Sequence, residues 1–218
     1  MAFENREEAA RMLARRLETY RHQRPLVLAI PRGAVPMGKI LADALDGELD
    51  VVLVRKLRAP FNPELAIGSI DETGIVYLDP DTRHLWNERY LETEKAVQLN
   101  TLRQRREQYQ PAGAPIDAAG RVAIVLDDGI ATGSTMIAAL RAVRARHPAQ
   151  LIAATGVASA EALRLIRQEA DDVVCLETPA ILYAIGYHFR DFSQVSDEEV
   201  VATLREARRP HETSGTSR

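Results

Sequence analysis

The chain has 218 residues, 46% of them hydrophobic and 27% charged, and a formal net charge of −3. That length fits one medium α/β domain with extensions and a substantial core, and the slight acidity gives no general attraction to nucleic acid or to an anionic membrane. A lone cysteine, Cys175, excludes a disulfide framework within the chain; the charged start Met-Ala-Phe-Glu-Asn-Arg-Glu-Glu has no signal-peptide core and no apolar run nears the roughly 18 residues that span a bilayer, so a soluble, cytoplasmic protein is expected.

Asn5, with Glu8 three residues on, marks the N-cap of an opening helix through Tyr20, with Met12, Leu13 and Leu17 as its buried stripe. Residues 25–30 form a buried strand, Pro31-Arg32-Gly33-Ala34 a tight loop, and 35–45 a helix. A second apolar strand, 50–54, ends in Arg55-Lys56. The Pro-, Asn- and Gly-rich segment 57–73 is predicted as a long, partly mobile loop with room for short strands, followed by a strand at 74–78. Residues 81–110 are charged and helical. Arg103, Arg105 and Arg106 share that helix with Glu88, Glu92, Glu94 and Glu107, which predicts a solvated face, or a dimer surface built on Leu91, Leu99 and Leu102. The Pro/Gly cluster 111–115 reads as a linker.

Residues 122–135 carry the strongest signal. Five apolar residues, Val122 to Leu126, read as a buried parallel strand because they show no alternation with polar positions. The strand is expected to stop at Asp127 and Asp128; a loop Ala131-Thr132-Gly133-Ser134-Thr135 follows, and a helix starts near Met136. The two carboxylates suit the vicinal hydroxyls of a sugar. The hydroxyls and backbone N–H groups at the positive end of a helix suit its phosphate. Strand 150–157, helix 159–169 and strand 172–176, which holds Cys175 as a buried structural thiol, continue the alternation. A helix at 197–207 and a polar, disordered tail from Arg208 close the chain. Alternation at this spacing predicts an α/β fold: a parallel sheet with helices on both faces, its ligand at the carboxyl ends of the strands, where the loops beginning at Pro31, Arg55, Asp127 and Glu177 share one rim.

An apolar strand, two acidic residues, three variable residues and Thr-Gly-x-Thr resemble the 5-phosphoribosyl-1-pyrophosphate (PRPP) signature of type I phosphoribosyltransferases. The resemblance covers roughly residues 5–205. It implies a single domain over 1–207 with a helical insertion at 80–110 and a hood at 178–195. The implied activity is transfer of a phosphoribosyl group from PRPP to a nitrogenous acceptor, an aromatic base, with release of pyrophosphate. A PRPP- or nucleotide-sensing regulator on the same fold is the alternative.

Residue by residue, the resemblance implies that Asp127 and Asp128 hold the ribose hydroxyls and that residues 131–135 cradle the 5′-phosphate. Arg32 and Gly33 fall in the family's pyrophosphate loop, where a cis non-proline peptide at Arg32–Gly33 or a neighbouring bond is expected; a plain structural turn is the rival reading. Lys56, or Arg55 or Arg58 in its place, and Arg190 would neutralise pyrophosphate. The segment after Ala59 would cover the site, with Asn62 and Glu64 as its polar residues; Glu64 is a candidate general base or merely a turn cap. Tyr187, Phe189 and Phe192 would stack on the acceptor or pack the hood onto the core. Ala131 stands where 6-oxopurine enzymes carry an acid, which argues against hypoxanthine or guanine and leaves adenine-like and non-purine acceptors open. The five histidines show no metal-ligand spacing, so the expected metal is Mg²⁺ on substrate oxygens, with Asp127 or Asp128 completing its shell. Expected partners are small molecules, with a homodimer allowed.

Overall fold

The computed structural model describes residues 3–109 and 112–208, apart from the side chain of Glu64. Five strands, β1 (Leu26–Ala29), β2 (Glu48–Val51), β6 (Val122–Ile130), β7 (Gln150–Ala158) and β8 (Asp172–Glu177), form a wholly parallel sheet in the order β2-β1-β6-β7-β8. Alternate strand residues serve two cores. Val27, Ala29, Ile124, Leu126, Ile152 and Ala154 face the helices α1 (Arg6–Arg16), α2 (Ala34–Ala44) and α6 (Asp197–Ala207). Leu26, Leu28, Ala123, Val125, Leu151 and Ala153 face α4 (Ser134–Arg144) and α5 (Ala160–Ile166). Burial on both sides is why these strands are continuously apolar in sequence.

Helix starts follow local chemistry. Asn5 caps α1 by accepting from the Glu8 backbone N–H, and Ser196 forms a full capping box with Glu199 at α6. The first helix is shorter than its pattern predicts: it ends at Arg16 and passes into a 3₁₀ turn at Glu18–Tyr20. Its stripe is Ala9, Ala10, Leu13 and Ala14, followed by Leu17, while Met12 faces solvent.

The segment 54–78 departs most from the sequence reading. It is an antiparallel three-stranded sheet, β3 (Val54–Ala59), β4 (Asn62–Asp71) and β5 (Val76–Leu78), in place of a long loop. A two-residue turn, Pro60-Phe61, joins β3 to β4, and Leu57, Ile67 and Ile70 are buried on one face of this flap. Accordingly Arg55 and Lys56 do not end a core strand; they lie within β3. Against the flap packs α3 (Glu88–Tyr109). Leu91 and Leu102 are buried and Leu99 packs on the same core, so these leucines face inward and offer no dimer surface. The expected solvated face holds for the exposed Glu88, Glu92, Arg103 and Glu107 but not for Arg106, which reaches two buried carboxylates, Glu72 and Asp50. Residues 110–111 of the linker and the tail from 209 onward lie outside the described residues.

Candidate active site

β6 carries the acidic pair. The strand runs on past Leu126 because its ladder with β7 continues through Asp127↔Thr155 and Gly129↔Val157, so both carboxylates sit on the strand and not in a turn. Desolvation first, then the neighbouring charge of Asp128, push the Asp127 carboxyl well above the usual carboxylate range; the Asp128 backbone N–H, 2.9 Å from Asp127 Oδ1, and Arg6 oppose the rise. Asp128 is held from α1: Arg6 Nε donates to its Oδ2 at 2.8 Å, with both side chains largely buried. The same guanidinium donates from Nη1 to the Ser193 carbonyl at 2.7 Å and lies 3.8 Å over the Phe192 ring.

The loop after β1 closes on this pair. Its Pro31–Arg32 peptide is cis, one bond before Arg32–Gly33. At Gly33 an ideal Cβ would lie 2.1 Å from Asp128 Oδ2, so only glycine lets the loop approach the carboxylate this closely. Arg32 pairs with Asp197, the first residue of α6, at 3.5 Å, and Asp197 also accepts from the Tyr109 hydroxyl at 2.8 Å. Across the rim, Gly133 takes φ +83 and turns the chain into α4. The Thr132 and Ser134 hydroxyls are 3.0 Å apart, and the Ser159 hydroxyl donates to the Ala131 carbonyl at 2.8 Å. The loop thus presents hydroxyls at the positive end of an eleven-residue helix.

Between this rim and the flap lies a cavity of about 420 Å³ lined by Pro31, Thr135, Arg55, Lys56, Arg58, Pro63, Thr101 and Arg105. Lys56 is therefore brought beside the Pro31 loop and Thr135 by the flap, not by a core strand. Asn62 and Glu64 belong to β4; the Glu64 side chain lies outside the described residues.

The hood is stitched to the N-terminal segment. Phe3 and Phe189 form a parallel bridge, with Phe3 N donating to the His188 carbonyl and Arg190 N to the Phe3 carbonyl, each at 2.8 Å. Phe189 is buried, 5.2 Å from the Phe3 ring and stacked on Phe192 at 5.0 Å. These two rings pack the hood down, and the guanidinium of Arg6 covers Phe192. Tyr187 alone of the three is open, at 78% exposure. Arg190 pairs at the surface with Glu4. Burial raises the Cys175 thiol, as suits a packed side chain and not a nucleophile.

Among the described residues, no three of His, Cys, Asp and Glu converge as metal ligands. Asp127 and Asp128 offer two carboxylates at one strand end, which fits an ion whose other ligands are substrate oxygens and water. Two residues of this site escape sequence reading, Arg6 and Asp197. Each sits in the first turn of a helix, where Arg6 looks like surface charge and Asp197 like an ordinary helix-start acid.

The family model for the phosphoribosyl transferase domain matches residues 3–190. The Mycobacterium tuberculosis protein Rv0571c, provisionally named a phosphoribosyl transferase, is 39% identical over 216 residues, covering 98% of this chain and 48% of that protein. A second strain's protein, MT0597, carries the same provisional name and the same identity. This chain thus spans about half the length of the curated relatives it matches. The crystal structure of TT1426 from Thermus thermophilus superposes with a TM-score of 0.88 at 41% identity, covering 94% of this chain and 99% of that one.

Proposed function

The chain belongs to the phosphoribosyl transferase family, and from that premise we propose that it transfers the 5-phosphoribosyl group of PRPP to a ring nitrogen of an aromatic base. The observation that carries this reading is the convergence, on one rim, of the Asp127–Asp128 strand end, the Thr132–Thr135 helix start and the Gly33 loop pressed against Asp128. In this proposal the carboxylates accept from the ribose 2′ and 3′ hydroxyls, and residues 131–135 hold the 5′-phosphate. Lys56 would meet the pyrophosphate, and Arg32 and Arg190 would join it only on leaving Asp197 and Glu4, their partners in this structure.

The bond from C1 to the pyrophosphate oxygen breaks, its electrons leaving with pyrophosphate. The acceptor nitrogen's lone pair forms the new bond to C1, and the nitrogen's proton passes to a general base, for which Glu64 is the candidate. Charge neutralisation at the leaving group and exclusion of water from an oxocarbenium-like C1 supply most of the acceleration. A Mg²⁺ ion on the substrate oxygens, touched by Asp127 or Asp128, would add Lewis-acid stabilisation of the same leaving group. Ala131 leaves no carboxylate at that position to meet a 6-oxopurine, which favours an adenine-like or non-purine acceptor. Tyr187 is the hood ring free to contact it.

The test is calorimetric. The Asp127→Asn/Asp128→Asn double variant should lose PRPP binding while remaining folded, and wild type should release pyrophosphate with one member of a base panel. Unchanged PRPP affinity in the folded double variant would sink the proposal.

A further inference from the structure

The acidic pair and the hood meet at one guanidinium. Residues 190–196 have no regular secondary structure; Asp191, Ser193 and Gln194 are exposed, while Phe192 and Val195 pack on the core. The backbone of this stretch leans on the N-terminal segment, Arg190 N donating to the Phe3 carbonyl at 2.8 Å and Asp191 N to the Glu4 carbonyl at 2.9 Å. From the same segment Arg6 turns its side chain into the site. Its Nε donates to Asp128 Oδ2 at 2.8 Å and its Nη1 to the Ser193 carbonyl at 2.7 Å. Among the described residues no other side chain bonds the Asp128 carboxylate, and the Arg6 and Asp128 side chains are 13% and 14% exposed.

The line of contact continues past Phe192, whose ring lies 3.8 Å under the guanidinium. A Cβ built at Gly186 would lie 3.2 Å from Phe192 Cδ1, so the ring abuts the backbone beside Tyr187. Ile185 seats on β6 just past the acidic pair: a Cβ at Gly129 would lie 2.2 Å from Ile185 Cγ2. Packed groups therefore run from Asp128 through Arg6 and Phe192 to Gly186 and Tyr187, the open ring of the hood. A continuous path of this kind is the physical basis on which two halves of a site can bias each other.

We infer that Arg6 is a positioning residue: by donating to Asp128 and to the Ser193 carbonyl at once, it makes the order of the hood depend on the Asp128 carboxylate and so couples the donor half of the site to the acceptor half. The names of the two halves rest on the PRPP reading; the coupling does not. A carboxylate has about four acceptor positions, so a ligand hydroxyl donating to Asp128 adds to Arg6 without displacing it. It immobilises the carboxylate on which the guanidinium is anchored. A ligand at Asp128 should then stiffen the hood, and a ligand under the hood should tighten binding at Asp128 by the same factor. Arginine suits this task because its planar fork bridges two fixed acceptors, whereas lysine offers a point charge on a flexible stem.

Amide hydrogen exchange over residues 186–195 of the full chain tests it, because exchange reads local opening. Arg6→Gln should speed exchange there at least about tenfold, as expected for a lost charge-assisted bond, and leave the β7 amides unchanged. Asp128→Asn should speed it at least about threefold by loss of charge, yet add less than about twofold once Arg6 is glutamine. PRPP should slow hood exchange in wild type and not in Arg6→Gln. Should Arg6→Gln misfold, Arg6→Lys carries the test: it keeps a charge beside Asp128 but should still speed hood exchange. A hood indifferent to Asp128→Asn, additive effects of the two substitutions, or a rise spread evenly over the chain overturns the inference. So does a lysine that protects the hood as well as arginine, or PRPP that binds wild type without slowing the hood. The two proposals fail separately. PRPP binding with a hood indifferent to Asp128 removes the coupling alone; non-additive hood exchange in a protein that does not bind PRPP removes the transferase reading alone.

Discussion

Gly33→Ala is the sharpest probe of how the acidic pair is held. The backbone at Gly33 is right-handed helical, φ −57 and ψ −32, so alanine fits its dihedrals without strain and the whole effect must be steric. The added methyl would sit 2.1 Å from Asp128 Oδ2 and 3.0 Å from Arg6 Nη2. Ordinary van der Waals contact begins at 3.4 Å, so the carboxylate must retreat by about 1.3 Å, the difference of the two distances. A displacement of that size breaks the 2.8 Å bond from Arg6 Nε unless the guanidinium follows, and that guanidinium is itself pinned by the Ser193 carbonyl and the Phe192 ring. The lost charge-assisted bond is worth about 1.5–3 kcal/mol in a site this buried. At about 2–4 °C per kcal/mol for a chain of this size, the melting temperature should fall by roughly 3–12 °C, leaving a folded protein. On the proposed reading, in which Asp128 accepts from a ribose hydroxyl, misplacing it by about 1 Å should weaken PRPP binding by the order of 10²-fold. Scanning calorimetry and PRPP titration read the two effects. A variant that melts near wild type and binds PRPP within about twofold of it would refute the close approach of the loop to Asp128.

Two further outcomes follow from buried charge. Arg106 bonds both oxygens of Glu72 and lies 3.6 Å from Asp50 Oδ1, and these acids are 9% and 2% exposed; Arg106→Ala should destabilise by about 3 kcal/mol, the lower end for a broken buried pair, because Asp50 keeps Arg208 and two backbone donors. Urea unfolding checks this, and a loss under about 1 kcal/mol would show that the pair is not a structural tie between core and flap. Asp127→Asn should do the reverse and raise stability at pH 7. Because the folded Asp127 pKa lies above its unfolded value, the folded state holds the extra proton between the two, and its stability falls as pH climbs through that window. The gain of the neutral variant should therefore be largest near neutrality and vanish as pH approaches about 4; a variant less stable than wild type at pH 7 would contradict the sign.

Legibility in the sequence tracks the range of the interaction responsible. The core strands at Leu26–Ala29, Val122–Leu126 and Gln150–Ala158 are readable because burial on both faces leaves almost no polar position in them. Asn5 is readable because a helix cap depends on three or four neighbouring residues. The flap is not. Proline, asparagine and glycine in residues 60–74 look like loop, and only Leu57, Ile67 and Ile70 buried on one face against α3 and α4 make that segment a sheet. The same tertiary contact turns Leu91 and Leu102 inward and brings Arg105 and Arg106 off the expected solvated face.

Arg6 and Asp197 are hidden for a related reason: each acts on a partner more than a hundred residues away, Asp128 and Arg32. Local spacing carries no trace of such pairs. What they do is set the polarity of the rim. Asp197 draws Arg32 toward α6, while Arg6 ties Asp128 to the hood, so each arm of the site is braced by an opposite charge from a terminal helix. The four cations under the flap have no such brace among the described side chains. On the proposed reading the ribose hydroxyls meet the carboxylates and the leaving pyrophosphate meets the cations under the flap, so charge alone separates these two parts of the ligand. That asymmetry, more than any single contact, is what a ligand of the opposite polarity could not satisfy.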